Sequence, residues 1–361
     1  MQPSSPHVRF WQWFIKHGAR LRTVMYGPDD AAREMAAAEL REAVETVEPG
    51  LVLEIGPSAE GEPCQLIVSA DGRPERVDPV KDFVASSPAL PGWDVMAFRP
   101  RLEVGESIEI RLQDECVGPD DIWFRVIETD DGLDLTLHVR GLTDDNEQLR
   151  GLGASLLAEH AVGERDALTL LRSLQIEPLP NAPAASGLHP FPELVGVFDE
   201  AKATKYPPPG SLSIDVENDW QNMEGTINDS PAVILLHAGL RAVAGHPDYD
   251  RRLIVSIPFH ETLDNGLPAT EEEYLAVCDL GDRLTDALRE GQESLLAMTM
   301  MTQGRRDLIF YTSNAEAALD RVEALRDEEL THEIETRVER DTFWGMYRSF
   351  SQAGTENETE E

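Results

Sequence analysis

Apolar residues in the first half of the chain recur at spacings that alternate between helical and extended. Phe10, Trp11, Trp13 and Phe14 crowd one short segment, which predicts an N-terminal helix that buries most of its surface. Asp-Gly and Pro-Gly turns separate the segments that follow. The predicted strands are residues 51–55, 65–68, 92–98, 121–127 and 133–139. Three further helices are predicted: one that begins after Asp29-Asp30, one at residues 79–85 and one at residues 146–160.

The second half of the chain shows the same alternation of helical and extended spacings. Thr270 is predicted to cap a helix that runs to Leu288, with Glu273 at the position that completes a capping box. Asn314 is predicted to cap a second helix, to Leu325. The predicted strands are residues 211–216, 232–236, 253–257, 295–301, 308–311 and 333–338. Together the two halves predict an α+β fold, with two or more domains of mostly antiparallel sheet and helices packed on one face.

Proline and glycine divide the chain. Residues 178–190 are rich in Pro, Ala, Ser and Gly, and the run Tyr206-Pro207-Pro208-Pro209-Gly210 stiffens the backbone. We therefore predict an N-terminal α+β region at residues 1–177, a linker region at 178–210 and a C-terminal α+β domain at 211–350. Residues 351–361 are polar and acidic, which predicts a disordered tail.

Charge narrows the range of partners. Asp and Glu number 68 against 31 Lys and Arg, and the formal net charge is −37. Such a surface repels phosphate backbones and anionic lipid, so the sequence predicts neither nucleic-acid nor membrane binding. Three interpretations remain open: a solvated acidic face that favours solubility, adaptation to a salty cytoplasm, or an acidic face that docks on a basic protein partner.

The cysteines and the apolar segments indicate the compartment. Cys64, Cys116 and Cys278 are far apart and odd in number, which fits neither a disulfide framework nor a metal spacing. No apolar run is long enough to span a membrane, and the N-terminus lacks a signal-peptide pattern. These observations predict a cytoplasmic protein.

Motifs of known chemistry are missing from the sequence. It contains no phosphate-binding loop, no dinucleotide-binding glycine turn and no Gly-x-Ser-x-Gly elbow. His237, His246 and His260 fall in one predicted sheet region, but nothing in their spacing makes them converge, and Glu261 would point away from His260. We therefore predict no metal, no cofactor and no catalytic residue. The charged run at residues 163–166 is interpreted as a solvated turn or an ion pair.

Two stretches of the C-terminal half carry a family resemblance. Residues 302–311 (TQGRRDLIFY) and 339–347 (ERDTFWGMY), with the region of Trp220, resemble an uncharacterised bacterial family, domain of unknown function 695. The closing stretch is also similar to domains of the regulator of ribonuclease E activity B. Residues 10–14 and 91–101 resemble the companion region of such proteins. The family has no established catalytic residues, so the resemblance implies no role for any side chain.

Aromatic residues near the end of the chain are the candidate binding site. Trp344, Tyr347 and Arg348 belong to the residue types that dominate protein-binding hot spots, so we predict that they contact a partner protein. With the acidic surface, this favours a non-enzymatic protein-binding or regulatory module. The alternatives are an enzyme whose carboxylate and histidine groups converge only in three dimensions, and an immunity-type inhibitor of a toxic enzyme.

Overall fold

The computed structural model describes residues 6–56, 63–103, 108–212, 219–329 and 331–358. The chain divides into two compact units. The N-terminal unit comprises residues 1–127 and 134–199, and the C-terminal unit comprises residues 128–133 and 200–361. Among the helices of the described residues, none combines the length and the apolar composition that crossing a membrane requires.

The N-terminal unit mixes helices with short sheets. The strand orders are β1-β2-β3, β4-β5 and β8-β7-β6-β9. Its helices are α1 (Pro6–Met25), α2 (Asp30–Glu45), α3 (Val77–Ala85), α4 (Glu147–Val162) and α5 (Glu164–Leu170). Its strands are β1 (Val52–Ile55), β2 (Cys64–Ser69), β3 (Trp93–Ala97), β4 (Ile110–Leu112), β5 (Glu115–Val117), β6 (Ile122–Thr129), β7 (Gly132–Val139), β8 (Leu171–Pro178) and β9 (His189–Pro190).

The aromatic segment near the N-terminus forms the predicted buried helix. Phe10, Trp11 and Phe14 of α1 are fully buried, and Phe10 and Trp11 pack against Phe83 of α3 at ring-centroid distances of 4.9 Å. The indole N–H of Trp11 also donates to the carbonyl of Phe83. Burial of these large rings stabilises the docking of α1, because transfer free energy scales with the apolar area removed from water.

The C-terminal unit is built on one six-stranded antiparallel sheet with the order β10-β11-β13-β14-β12-β15. Thr270 accepts the N–H of Glu273 and Asn314 accepts the N–H of Ala317, as the predicted helix caps require. The strands are β10 (Trp220–Ile227), β11 (Ser230–His237), β12 (Arg251–Pro258), β13 (Ser294–Thr302), β14 (Arg305–Thr312) and β15 (Glu335–Arg340). The helices are α6 (Leu194–Lys205), which begins in the N-terminal unit, α7 (Glu271–Arg289), α8 (Ala315–Glu328) and α9 (Gly345–Glu358).

Two hydrophobic clusters cover the two faces of this sheet. On one face, Val277 and Leu284 of α7 and Val322 of α8 pack against inward residues of β12 and β14. On the other face, Trp344 and Tyr347 pack against β11, β13 and β14 together with residues 238–244. The mostly antiparallel α+β fold is confirmed, with helical structure on the second face as well.

The structure also describes most of the predicted linker and tail. Residues 178–210 hold β9, α6 and two short 3₁₀ turns, Ala184–Ser186 and Phe191–Glu193. Pro192 lies in the first turn of the second one, where a missing N–H costs nothing. Helix α9 runs through residues 351–358 of the predicted tail. Residues 359–361 lie outside the described residues, as do residues 213–216 of the strand predicted at 211–216.

Candidate functional site

A groove runs along α7 on the less covered part of the sheet. Helices α7 and α8 pack over β12 and β14, whereas Leu235 of β11 is 39 % exposed. The pocket between α7 and strands β10, β11 and β13 has a volume of about 540 Å³. Ligand pockets typically measure about 300–1,000 Å³. We call this pocket the α7 groove; its lining is Asn222, Val233, Leu235, Leu267, Pro268, Tyr274, Cys278, Asp282, Thr299, Met301 and Arg306.

Arg306 is a buried cation on the wall of the α7 groove. The residue is 7 % exposed, and one terminal guanidinium nitrogen, Nη1, donates to the Cys278 thiol at 2.6 Å. Its Nε is buried without a hydrogen-bond partner. Within the described part of the chain, no carboxylate lies within ion-pair distance of Arg306. Buried guanidinium groups are normally paired, so this one requires a functional or structural explanation.

The local sequence explains why Arg306 points towards α7. In β14, Arg306 lies on the same face of the sheet as Leu308 and Phe310, because alternate residues of a strand share a face. Leu308 and Phe310 belong to the apolar cluster beneath α7. Gly281 of α7 leaves room for the guanidinium, because a Cβ at this glycine would lie 3.2 Å from Nε of Arg306. An arginine at an inward strand position opposite a helical glycine is the sequence signal that could have indicated this site.

Tyr274 and Cys278 lie one helical turn apart on the wall of the groove. Tyr274 is 46 % exposed. The electrostatic interaction with Cys278, its hydrogen bond and burial raise the pKa of the Tyr274 hydroxyl, and the charge of Arg306 opposes them. Tyr274 therefore keeps its proton at neutral pH and can donate a hydrogen bond. Thr299 and Asn222 add polar groups to the same lining.

The predicted protein-binding residues lie on the opposite face of the sheet. Trp344 and Tyr347 have no exposed surface, and the Trp344 ring stacks on Tyr311 at a centroid distance of 3.9 Å. The indole N–H donates to the carbonyl of Tyr249. Arg348 is partly exposed and donates to the carbonyl of Ala244. The packing gives both aromatic rings a core role, and partner binding through this segment stays a prediction.

Of the three histidines considered in the sequence analysis, His237 and His246 are buried, and neither contacts His260. His237 is buried beside Trp220, with ring centroids 4.7 Å apart. His246 donates through Nε2 to the carbonyl of Pro207 and accepts the N–H of Asp248 at Nδ1. Burial lowers the pKa of His246. Neither ring joins His260.

His260 instead meets two residues that the sequence analysis did not connect with it. Its ring stacks on that of His332 at a centroid distance of 4.3 Å, and each ring has one nitrogen near the carboxylate of Glu273. Nδ1 of His260 lies 3.8 Å from Oε2 of Glu273, and Nε2 of His332 lies 3.4 Å from Oε1. Glu273 accepts the backbone N–H of His260 at 2.7 Å, so its carboxylate turns to His260 rather than closing the predicted capping box. We call these three residues the His–Glu–His cluster.

The charged run at residues 163–166 has a structural role. Glu164 has no exposed surface and accepts four hydrogen bonds, from the Ser69 hydroxyl and from three backbone N–H groups. Asp166 pairs with Arg101 at 2.9 Å. The ion-pair interpretation therefore holds for Asp166, whereas the solvated-turn interpretation is wrong for Glu164, whose acceptors satisfy buried donors.

Comparison with known proteins adds one match. Residues 218–351, which include all strands of the large sheet and helices α7 and α8, match the family described as "Family of unknown function (DUF695)". This confirms the resemblance predicted for the C-terminal part. The similarity of the closing segment to the regulator of ribonuclease E activity B is not confirmed. No curated protein and no solved structure matched the chain.

Proposed function

We propose that the C-terminal unit is a non-enzymatic regulatory module that binds a small anionic ligand in the α7 groove. The observation that carries this proposal is the buried guanidinium of Arg306, which has a thiol but no described carboxylate as its partner. An incoming carboxylate or phosphate would supply the missing negative charge. Planar guanidinium groups bind such anions through paired hydrogen bonds.

The rest of the lining suits a ligand with an apolar body. Val233, Leu235 and Met301 provide aliphatic surface, and Leu267 and Pro268 close the groove at the loop before α7. A ligand that contacts both α7 and the sheet would stabilise the conformation in which α7 packs against the sheet as it does in this structure. Ligand binding would thereby control the position of α7, which is the regulatory effect that we propose.

The overall negative charge of the protein should confine anion binding to the surroundings of Arg306. A surface with a net charge of −37 repels anions in general. Within the groove, the low dielectric environment strengthens the attraction between the guanidinium and an anion. Asp282 at the rim disfavours an anionic group at that end, so the ligand should orient its charge towards Arg306.

Binding should depend on Arg306 in a measurable way. In a thermal-shift screen of small carboxylates and organic phosphates, with their neutral amides and alcohols as controls, only anions should raise the melting temperature. Arg306→Met should weaken the best anion about 10- to 100-fold, as expected for the loss of charge-assisted hydrogen bonds. Arg305→Met, the same substitution at the exposed neighbouring residue, should leave the affinity unchanged.

The stability of the same variants separates a binding role from a structural one. Arg306→Met should change the free energy of unfolding by less than about 1 kcal/mol, because it removes a buried charge that lacks a carboxylate partner. Arg340→Met, which removes the 2.9 Å ion pair with Asp250, should cost about 2–3 kcal/mol. Equal losses in the two variants, or anion binding that survives in Arg306→Met, would contradict the proposal.

A basic protein partner is a second candidate, favoured by the exposed acidic side chains of α7. The residues are Glu271, Glu272, Asp279, Asp282 and Asp286. We expect affinity capture from the native cells to yield one basic protein at low salt and less of it at moderate salt. A variant with these five residues changed to Asn or Gln should lose that protein. Capture that is insensitive both to salt and to these changes would exclude the α7 surface as the contact.

A further inference from the structure

We propose that His260, Glu273 and His332 form a binding site for one divalent first-row transition-metal ion of the Zn²⁺ type. One ligand atom from each residue lies within 4.8 Å of the others. Two imidazole nitrogens and one carboxylate oxygen are donors that such ions accept. The site is separate from the α7 groove, and the inference does not depend on the anionic ligand proposed there.

The hydrogen bonds behind His332 determine which of its nitrogens is available. The Thr331 hydroxyl donates its single hydrogen to Glu329, and hydrogen bonds from Thr331 lower the pKa of Glu329 to about 2, so this carboxylate is an acceptor only at neutral pH. The Thr331 oxygen lies 3.0 Å from Nδ1 of His332. Nδ1 must therefore be the donor in that contact. In the neutral ring, Nε2 then carries a lone pair.

That lone pair faces a negative charge. Nε2 of His332 lies 3.4 Å from Oε1 of Glu273, is buried, and has no hydrogen-bond partner within the described residues. Two acceptors facing each other in a buried position repel, so a cation belongs between them. The direction of this contact does not satisfy a hydrogen bond, so the ring nitrogen and the carboxylate oxygen leave each other unsatisfied.

The distances fit a metal ion. Bonds of about 2.0–2.2 Å to N and O ligands place neighbouring ligand atoms of a tetrahedral ion about 3.3–3.6 Å apart. Nε2 of His332 lies 3.4 Å from Oε1 of Glu273, and Nδ1 of His260 lies 3.8 Å from Oε2 of the same carboxylate. The two rings stack with an interplanar angle of 15°, so the exposed His260 side chain must rotate out of this stack for both lone pairs to reach one ion. Three protein ligands leave one position for water.

The chain also supplies the outer support that metal-binding histidines usually have. Such histidines donate their second ring N–H to an oxygen that fixes the tautomer, here the Thr331 hydroxyl backed by Glu329. The three ligands come from the loop after β12, the first turn of α7 and the segment before β15. A bound ion would link these elements and stabilise the folded state by mass action.

Zn²⁺ binding by the chelator-treated full-length protein tests the inference. We expect one Zn²⁺ per chain in a competition titration against a chromogenic chelator, a higher melting temperature with Zn²⁺, and a Co²⁺ spectrum without thiolate charge-transfer bands. His332→Ala and Glu273→Gln should lower the affinity at least about 100-fold. Thr331→Val, which keeps every ligand but removes the oxygen behind His332, should lower it about 10- to 100-fold.

Controls separate this site from others. His189→Ala removes an exposed His–Glu pair that has no third ligand among the described residues, and Cys278→Ser removes a thiol; neither should change Zn²⁺ affinity. If His332→Ala fails to fold, the exposed His260→Ala and Thr331→Val variants report on the same site. Absence of Zn²⁺ binding, or affinity that stays unchanged in His260→Ala and Thr331→Val, would overturn the proposal.

Discussion

Replacement of Trp344 by alanine is expected to lower the free energy of unfolding of the C-terminal unit by about 3–5 kcal/mol. The indole has no exposed surface, stacks on Tyr311 with an interplanar angle of 6°, and donates to the carbonyl of Tyr249. Alanine would leave a cavity against β14, together with a backbone carbonyl that loses its partner. Hydrogen-exchange mass spectrometry of β13 and β14 peptides in the full-length protein measures the loss in this unit.

An exposed aromatic residue in the same unit is the control for Trp344. Tyr274 is 46 % exposed, so Tyr274→Ala should cost less than about 1 kcal/mol. Fast exchange in the β13 and β14 peptides of Trp344→Ala, with slow exchange in Tyr274→Ala, would support the core role. Equal protection in both variants would contradict it and would favour the partner-binding role predicted from the sequence.

Glu164→Ala is expected to destabilise the N-terminal unit by about 3–5 kcal/mol. Oε1 of Glu164 accepts from the Ser69 hydroxyl at 2.7 Å and from the N–H groups of Ala70 and Asp71, and Oε2 accepts the N–H of Arg99 at 2.8 Å. Alanine removes this acceptor from the Ser69 hydroxyl and from the N–H groups of Ala70 and Arg99, whereas the N–H of Asp71 keeps the Ser69 oxygen at 2.9 Å. Buried unsatisfied donors lose their interaction with water and gain nothing in exchange.

The isosteric variant separates hydrogen bonding from packing at Glu164. Glu164→Gln fills the same volume but replaces one accepting oxygen by an NH₂ group, which must face an N–H donor. We expect a loss of about 2–3 kcal/mol, measured by hydrogen exchange in β2 peptides. Glu193→Ala, at an exposed carboxylate of the same unit, should have almost no effect. Full stability of Glu164→Gln would show that the four hydrogen bonds contribute little.

The sequence predicted the elements whose apolar pattern is strong. The hairpin of β6 and β7, the strand β12 and the capped helix α7 lie within a few residues of their predicted bounds. It missed β10, whose residues WQNMEGTI are mostly polar and lack alternation. This strand depends on its pairing with β11, and such tertiary context outweighs local propensity.

The candidate sites were not predicted from the sequence, because their residues are distant along the chain and meet only in the folded C-terminal unit. Arg306 and Cys278 come from a strand and a helix, and the His–Glu–His cluster joins a loop, a helix and a second loop. The alternation of residues in β14 did indicate that Arg306 faces the same side as Leu308 and Phe310. Trp344 shows the opposite difficulty: residue type alone does not distinguish a core aromatic residue from an exposed anchor, since both bury large rings.

The measurement that tests the proposed function most directly follows the guanidinium of Arg306. Its buried Nε–H should exchange slowly with water and give a visible arginine side-chain NMR signal, which Arg306→Met identifies by its loss. Titration with benzoate should shift this signal saturably, whereas benzamide, its neutral isostere, should not. A signal that stays unmoved by benzoate and by every anion of the thermal-shift panel would contradict anion binding in the α7 groove.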